Sequence, residues 1–269
     1  MEKLLCSAEK LDIEKTFECG QCFRWNRGDN GSYTGVVGSY LATVRESDGS
    51  VYITSNAPDD IWFDYFDLGT DYDEISRAFT GEYLEKCTEY GRGIRILRQD
   101  PWEALCSFII SQCNNIERIK GIVERLCAAF GERFESGGTE YYSFPTADVL
   151  AGLEPDDLAC IRSGYRADYI IAAARAVANG DIDLNSLMHC DYHDAIKSLR
   201  TIRGVGEKVA NCVTLFGLRH TEAFPIDVWM KCALKEHFPP NFDPASLGKY
   251  AGLAQQYIFY YTRSMGRGK

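Results

Sequence analysis

The sequence predicts an α+β protein: an antiparallel β-rich segment over residues 1–95, then an all-helical region over 96–269. Two observations carry this. Up to about residue 90, apolar and polar residues alternate with period two between clusters of Gly, Asn and Asp, the pattern of short strands and turns. From Asp100 onward, apolar residues recur at helical spacing instead.

The first segment reads as a meander. Gln21–Trp25 is apolar and aromatic, Asp29–Gly31 is a turn, and Ser32–Val37, Ser39–Arg45 and Ser50–Ser55 are strands, the last two flanking a turn at Glu46–Gly49. The helical region opens on Asp100-Pro-Trp-Glu103: an acidic N-cap, proline at the first helical position and a glutamate placed for a capping box. Leu105, Phe108, Ile109 and Gln112 then share a face. After a polar break at Gln112-Cys-Asn-Asn115, a second helix over Ile116–Phe130 ends at Gly131. Further helices are expected at about 146–153, 155–162, 166–178, 192–202, 207–218, 228–237 and 246–263.

Composition narrows the function classes. With 45% hydrophobic residues the chain can build a real core, no apolar run reaches spanning length, and the start turns polar too early for a secretory signal. A soluble, intracellular protein is expected, acting as a monomer. The 11 cysteines are odd in number and scattered, which argues against a disulfide framework. Cys106, Cys127, Cys160 and Cys232 lie among apolar neighbours and read as small buried hydrophobes. The close pair Cys19-Gly-Gln-Cys22 fits a redox or metal motif in form, but no second ligand pair and no βαβ pattern accompany it. The net charge of −10 opposes nucleic-acid binding, and composition alone favours a metabolic enzyme. Against this, backbone amides at helix starts hold phosphates without formal charge, and basic residues are locally frequent at Arg162, Arg166, Arg200, Arg203 and Lys208.

The chemistry concentrates around Leu199–Ala210. A helix ends, Gly204-Val-Gly206 makes a tight turn, and a new helix starts at once, offering unpaired N–H groups and a positive dipole end to an anion. An ordinary helix–helix corner would look the same. Lys208 lies in the first turn of the new helix, where the dipole field, together with burial, would favour the neutral amine that a nucleophile needs; a solvated surface lysine is the alternative reading. Cys212 follows one turn later on the same face. Asp227 reads as the N-cap of a helix beginning at Val228 and, in function, as a fixed carboxylate able to stabilise a cationic sugar.

With these motifs the sequence resembles the helix-hairpin-helix DNA glycosylase superfamily, and within it the 8-oxoguanine DNA glycosylases, from Gly20 to Phe259. The resemblance implies that Lys208 attacks C1′ of the damaged nucleotide, that Asp227 stabilises the oxocarbenium-like sugar, and that the resulting Schiff base permits β-elimination of the 3′ phosphate. Phe17-Glu-Cys-Gly-Gln-Cys-Phe-Arg-Trp25 looks like the segment whose glycine carbonyl accepts the N7–H of 8-oxoguanine, which assigns that role to Gly20. Ala251–Phe259 resembles the closing helix, with Gln255 on the Watson–Crick edge of the flipped base and Phe259 stacked on it, opposite Cys212. Gly164-Tyr165-Arg166 matches the wedge, Tyr165 entering the duplex and Arg166 reaching the orphaned cytosine. Asn114, Asn115 and Arg118 resemble a second contact region, and Gly204 and Gly206 belong to the phosphate-binding hairpin.

Two positions depart from the animal pattern: Cys113 replaces a gap-filling asparagine and Trp229 a histidine near the 5′ phosphate. No cysteine follows Cys232, so the iron–sulfur loop of related adenine and thymine-glycol glycosylases is missing. The implied partner is duplex DNA containing 8-oxoguanine, with no membrane and neither a redox cofactor nor a catalytic metal. A monovalent cation held by the hairpin carbonyls between Ile202 and Val205 is a family habit that the sequence leaves open. The alternatives are a glycosylase for another damaged base, a non-catalytic helix-hairpin-helix DNA-binding module and a redox enzyme using Cys19 and Cys22.

Overall fold

A computed structural model describes residues 2–266. Five antiparallel strands, β1 (Glu2–Ser7), β2 (Trp25–Arg27), β3 (Tyr33–Val37), β4 (Tyr40–Ser47) and β5 (Ser50–Ser55), form one sheet in the order β1-β5-β4-β3-β2. The β4–β5 hairpin closes on Asp48-Gly49, both at positive φ (51° and 71°), the backbone that a two-residue hairpin loop requires. The expected meander is therefore present, with two differences. β1 adds an edge strand beside β5, and only Trp25 of the Gln21–Trp25 stretch enters a strand.

Helices appear earlier than expected. α1 (Ile13–Glu18) is capped by Asp12, whose carboxylate accepts the Lys15 amide. After the sheet come α2 (Asp59–Tyr65), α3 (Tyr72–Ser76) and α4 (Glu82–Gly91), where strands and turns had been read. The remaining helices are α5 (Pro101–Ile110), α6 (Ile116–Phe130), α7 (Ala147–Ala151), α8 (Arg166–Ala178), α9 (Leu184–Leu187), α10 (Tyr192–Leu199), α11 (Glu207–Phe216), α12 (Val228–His237) and α13 (Ala251–Gly266). A short hairpin of β6 (Arg133–Ser136) and β7 (Thr139–Tyr142) interrupts them.

Several boundaries follow from local chemistry. The Asp100 carboxylate accepts the Glu103 amide at 2.8 Å, and the Asn115 side-chain oxygen accepts the Arg118 amide at 2.9 Å, which starts α5 and α6 where the sequence indicated. The expected helix over 155–162 is a 3-10 segment, Pro155–Ile161. That over 246–263 is broken at Gly248 (φ 74°, ψ −158°), between a 3-10 segment over Pro244–Tyr250 and α13. α5 has no polar face to speak of, since Ala104 to Ile110 are all buried, and it forms the central post of the helical region.

Two buried clusters organise the molecule. The smaller one is aromatic and lies between the sheet, α1 and α2: Phe17 stacks on Trp25 with centroids 4.3 Å apart, and Trp62, Tyr65 and Phe66 surround them. The larger one joins α3 to α13 around α5. The segment from Phe17 to Trp25 belongs to both, because Phe17, Cys22 and Trp25 enter the aromatic cluster while Cys19 and Phe23 enter the helical one. Gly20 is thus carried on a loop anchored at two cores. Cys106 and Cys127 are buried as expected, whereas Cys160 and Cys232 are exposed. Their short helical segments turn Leu158 and Ile161, and Met230 and Ala233, inward instead.

Candidate active site

One small cavity, of about 60 Å³, is lined by Cys19, Gly20, Phe108, Lys208, Cys212, Phe216, Pro225, Asp227, Gln255, Gln256 and Phe259. It gathers the two residues read as catalytic and the four read as base-contacting, from three parts of the chain more than two hundred residues apart at the extremes.

Lys208 is the second residue of α11, half-buried, with its Nζ 5.8 Å from the centroid of the Phe108 ring on α5. Cys212, one turn on, is within hydrogen-bonding reach of Lys208. Burial pushes its thiol up, and the neighbouring Lys208 opposes the shift. Asp227 is the expected N-cap and also reaches the cavity. Its Oδ1 caps α12 by accepting the Met230 amide at 2.9 Å, and the residue also lines the cavity. Among the described residues no ion pair ties Asp227 to Lys208, so the carboxylate is held by its helix and not by the amine.

The opposite wall comes from α13 and the loop after α1. Gln255 is buried, and its Oε1 has no hydrogen-bond partner. A buried unsatisfied amide costs free energy unless something else meets it, and this one faces the cavity. Gly20 has φ +82°, a conformation that disfavours any side chain, and a Cβ there would lie 3.7 Å from the Phe259 ring. Cys19 is buried, with its sulfur accepting hydrogen bonds from Gln21 (3.3 Å) and Gln256 (3.4 Å). Burial pushes its thiol up to about 11 and raises that of Cys22 further, the opposite of what thiolate redox chemistry needs. Phe108, Phe216, Pro225 and Gln256 were not read as site residues from the sequence, Phe108 being named only as part of an apolar helix face; they lie in apolar runs or beside a stronger candidate, and only the packing brings them to the cavity.

Around the cavity lies an exposed rim. Gly204 (φ +87°) lets the hairpin press onto α8: a Cβ there would sit 2.2 Å from the Tyr169 ring, and Tyr169 in turn meets Tyr165 edge-on at 5.7 Å. Tyr169 therefore links hairpin and wedge, a role with no local signal in the sequence. At Gly206 the φ is ordinary, a Cβ would meet nothing within 4 Å and no side chain caps α11, whose start at Gly206 and Glu207 is exposed. Tyr165 (52% exposed) and Val228 (73%) leave apolar surface uncovered, the second next to Asp227 in the chain. Arg118, Arg162, Arg203 and Lys208 make no ion pair among the described residues, whereas many cations elsewhere are neutralised. The −10 net charge thus leaves these cations unpaired, although Arg200 beside the hairpin is neutralised by Glu207 at 2.8 Å.

Family models match almost the whole chain: "8-oxoguanine DNA glycosylase, N-terminal domain" over residues 3–105 and "HhH-GPD superfamily base excision DNA repair protein" over 106–246. The N-glycosylase/DNA lyase OGG1 of Arabidopsis thaliana is 30% identical over 93% of this chain and 77% of its own length. The N-glycosylase/DNA lyase of Saccharomyces cerevisiae is 38% identical over 88% of this chain and 70% of its own. The chain belongs to the 8-oxoguanine DNA glycosylase family of the helix-hairpin-helix superfamily. Among solved structures, the Clostridium acetobutylicum 8-oxoguanine glycosylase/lyase in complex with DNA containing cytosine opposite the lesion superimposes with TM-score 0.89, at 35% identity, covering 96% of this chain and 93% of that one. MBOgg1, in complex with a low-affinity DNA ligand, reaches TM-score 0.91 at 40% identity over 98% and 96% of the two chains.

Within this family member the rim residues are disposed unevenly. Asn115, Arg118 and Cys113 are exposed, Cys113 in left-handed backbone (φ 49°). Asn114 is half-buried, and its side chain serves its own turn, donating to the Ile110 carbonyl at 3.2 Å. Arg166 is buried: its guanidinium donates to the carbonyls of Gln112, Cys113 and Ser163 and lies over the Tyr165 ring. In the free protein it ties the turn at Cys113 to the wedge at Tyr165 and does not project outward. Trp229 packs against Gly266 at the end of α13, beside a larger cleft formed with α4 that contains none of the site residues.

Proposed function

We propose that this protein excises 8-oxoguanine from duplex DNA and then cleaves the strand 3′ of the site, with Lys208 as nucleophile. The observation that carries the reading is the convergence of Gly20, Lys208, Cys212, Asp227, Gln255 and Phe259 on one cavity containing an unpartnered buried amide oxygen. The family and its DNA-bound members supply the substrate class.

A base inside a duplex cannot reach such a cavity, so the nucleotide is extruded while Tyr165 takes up the vacated stack. Phe259 and Cys212 then sandwich the base, Gln255 reads its Watson–Crick edge, and the Gly20 carbonyl accepts the N7–H. Guanine has an acceptor at N7, so the same carbonyl faces it without a partner, and buried mismatches of this kind discriminate strongly. The Lys208 amine adds its lone pair to C1′ as the N-glycosidic bond breaks and the base leaves with its electron pair. Asp227 stabilises the positive charge on the sugar. One amine proton passes to O4′ as the C1′–O4′ bond breaks and the sugar opens, leaving a protonated imine, which acidifies C2′–H. Removing that proton expels the 3′ phosphate.

The enzyme acts where DNA is, in a nucleoid or nucleus, and no helix of the described residues is long and apolar enough to cross a membrane. We also propose a monovalent cation at the hairpin. The Ile202 carbonyl accepts the Val205 amide at 3.0 Å and keeps a second lone pair, the neutral oxygen chemistry that suits such an ion; no step depends on it.

Borohydride trapping on an 8-oxoguanine:cytosine duplex tests the reading. Wild type is expected to give a covalent complex that Lys208→Gln does not form. Wild type that neither traps nor releases base overturns it.

A further inference from the structure

Gln255, Phe259 and Arg263 follow one another at four-residue spacing and share a face of α13. The first two line the cavity and the third does not, yet Arg263 is only 8% exposed. Its Nη2 donates to the Glu18 carbonyl at 2.7 Å, and its guanidinium carbon lies 5.6 Å from the Phe259 centroid. A Cβ on Gly20 would stand 3.6 Å from Nη1 of Arg263 and 3.7 Å from Cε1 of Phe259. A buried guanidinium therefore occupies the joint between the stacking ring and the turn that presents the Gly20 carbonyl. One helical position after Gln255, Gln256 reaches the same turn through Cys19.

We propose that Arg263 is a positioning residue for base recognition, setting the gap between the Gly20 turn and the Phe259 ring and through it the preference for 8-oxoguanine over guanine. This rests on the function proposed above. A flat base held between a ring and a carbonyl acceptor tolerates little displacement, since misplacement by about 1 Å can cost on the order of a hundredfold in rate. The charged hydrogen bond to Glu18 and the face of Phe259 are both served by one planar fork, and lysine reproduces the charge without the plane. Methionine keeps an apolar stem of similar reach and removes both interactions.

The test compares two reactions of one active site: excision of 8-oxoguanine opposite cytosine, and strand cleavage at a preformed abasic site, which needs Lys208 but no base. Arg263→Met is expected to slow excision by about 10- to 100-fold and to lower the ratio of 8-oxoguanine to guanine release, with abasic-site cleavage unchanged. Arg263→Lys is expected to recover part of the loss. Equal losses in both reactions, or no loss in either, overturn the proposal. If the methionine variant does not fold, Arg263→Lys and Arg263→Gln carry the same comparison. Wild type inactive on 8-oxoguanine but active on abasic DNA refutes the proposed substrate before Arg263 is at issue.

Discussion

The base cavity and the rim around it are built on opposite plans. Cavity residues come from distant segments, are buried or half-buried, and are brought together by packing: α5 lies under Lys208 and two cores grip the loop of Gly20, while Asp227 is fixed by capping α12. Rim residues come from short stretches of chain, are mostly exposed, and rest on local turns and caps such as Asn115 capping α6, with Tyr169 under Gly204 and Arg166 behind Tyr165 tying those stretches together. Cavity substitutions should therefore change what is excised and how fast, and rim substitutions how tightly any duplex is held.

The largest expected effect is at Asp227. Asn caps helices as well as Asp, so Asp227→Asn should keep α12 and the melting temperature while removing the charge that faces the sugar. Excision should fall by about 10²–10³-fold with duplex affinity unchanged, and a parallel loss of affinity would place the residue with the rim. Next is Phe259→Ala. Stacking on an aromatic ring contributes about 1–3 kcal/mol per base, so excision of 8-oxoguanine should drop by on the order of 10–100-fold while binding to undamaged duplex stays as it was. On the rim, Arg118→Ala should weaken lesion and undamaged duplexes alike, only severalfold, and reduce the slope of log affinity against log salt by about 1, as expected for one lost phosphate contact. A change confined to the lesion duplex would move Arg118 from rim to cavity.

The remaining effect is on stability and on neither excision nor DNA affinity. Glu103 sits 3.7 Å from Arg24, whose guanidinium also reaches the Tyr142 carbonyl; burial pushes the Glu103 carboxyl up to about 7, and Arg24 opposes the shift. An unfolded glutamate titrates near 4.3, so over roughly pH 4.5–7 the folded chain keeps a proton that the unfolded chain has lost. Stability should therefore fall as pH rises through that window, by about 1–3 kcal/mol at most from this group. Glu103→Gln should flatten the slope in thermal melts without altering excision at fixed temperature. An unchanged slope would show that Arg24 keeps the carboxylate charged.

Much of the fold was legible where local chemistry suffices. Asp48-Gly49 dictates the β4–β5 turn, and Asp100-Pro101 and Asn115 start α5 and α6 at the expected residues. β1 was hidden because Glu-Lys-Leu-Leu-Cys-Ser does not alternate; its partner β5 makes it a strand. α2 was hidden because Ile61, Trp62, Phe63 and Tyr65 are strand-forming residues in isolation, and only Trp62 and Tyr65 reach the aromatic core. α4 has few apolar residues of its own and is helical against α13.

The sequence by itself placed the candidate residues, and the family resemblance supplied their roles: a lysine in the first turn of a helix after a glycine hairpin, an aspartate at the next helix start, and a glutamine and a phenylalanine one turn apart on a later helix. Local rules suffice for these, because caps, turns and helical spacing act within a few residues. Tertiary structure alone decided which residues support them. Tyr169 under Gly204, Arg166 spent on the carbonyls behind the wedge, and Arg263 between Gly20 and Phe259 act across contacts of tens to hundreds of residues, and spacing along the chain carries no signal for those.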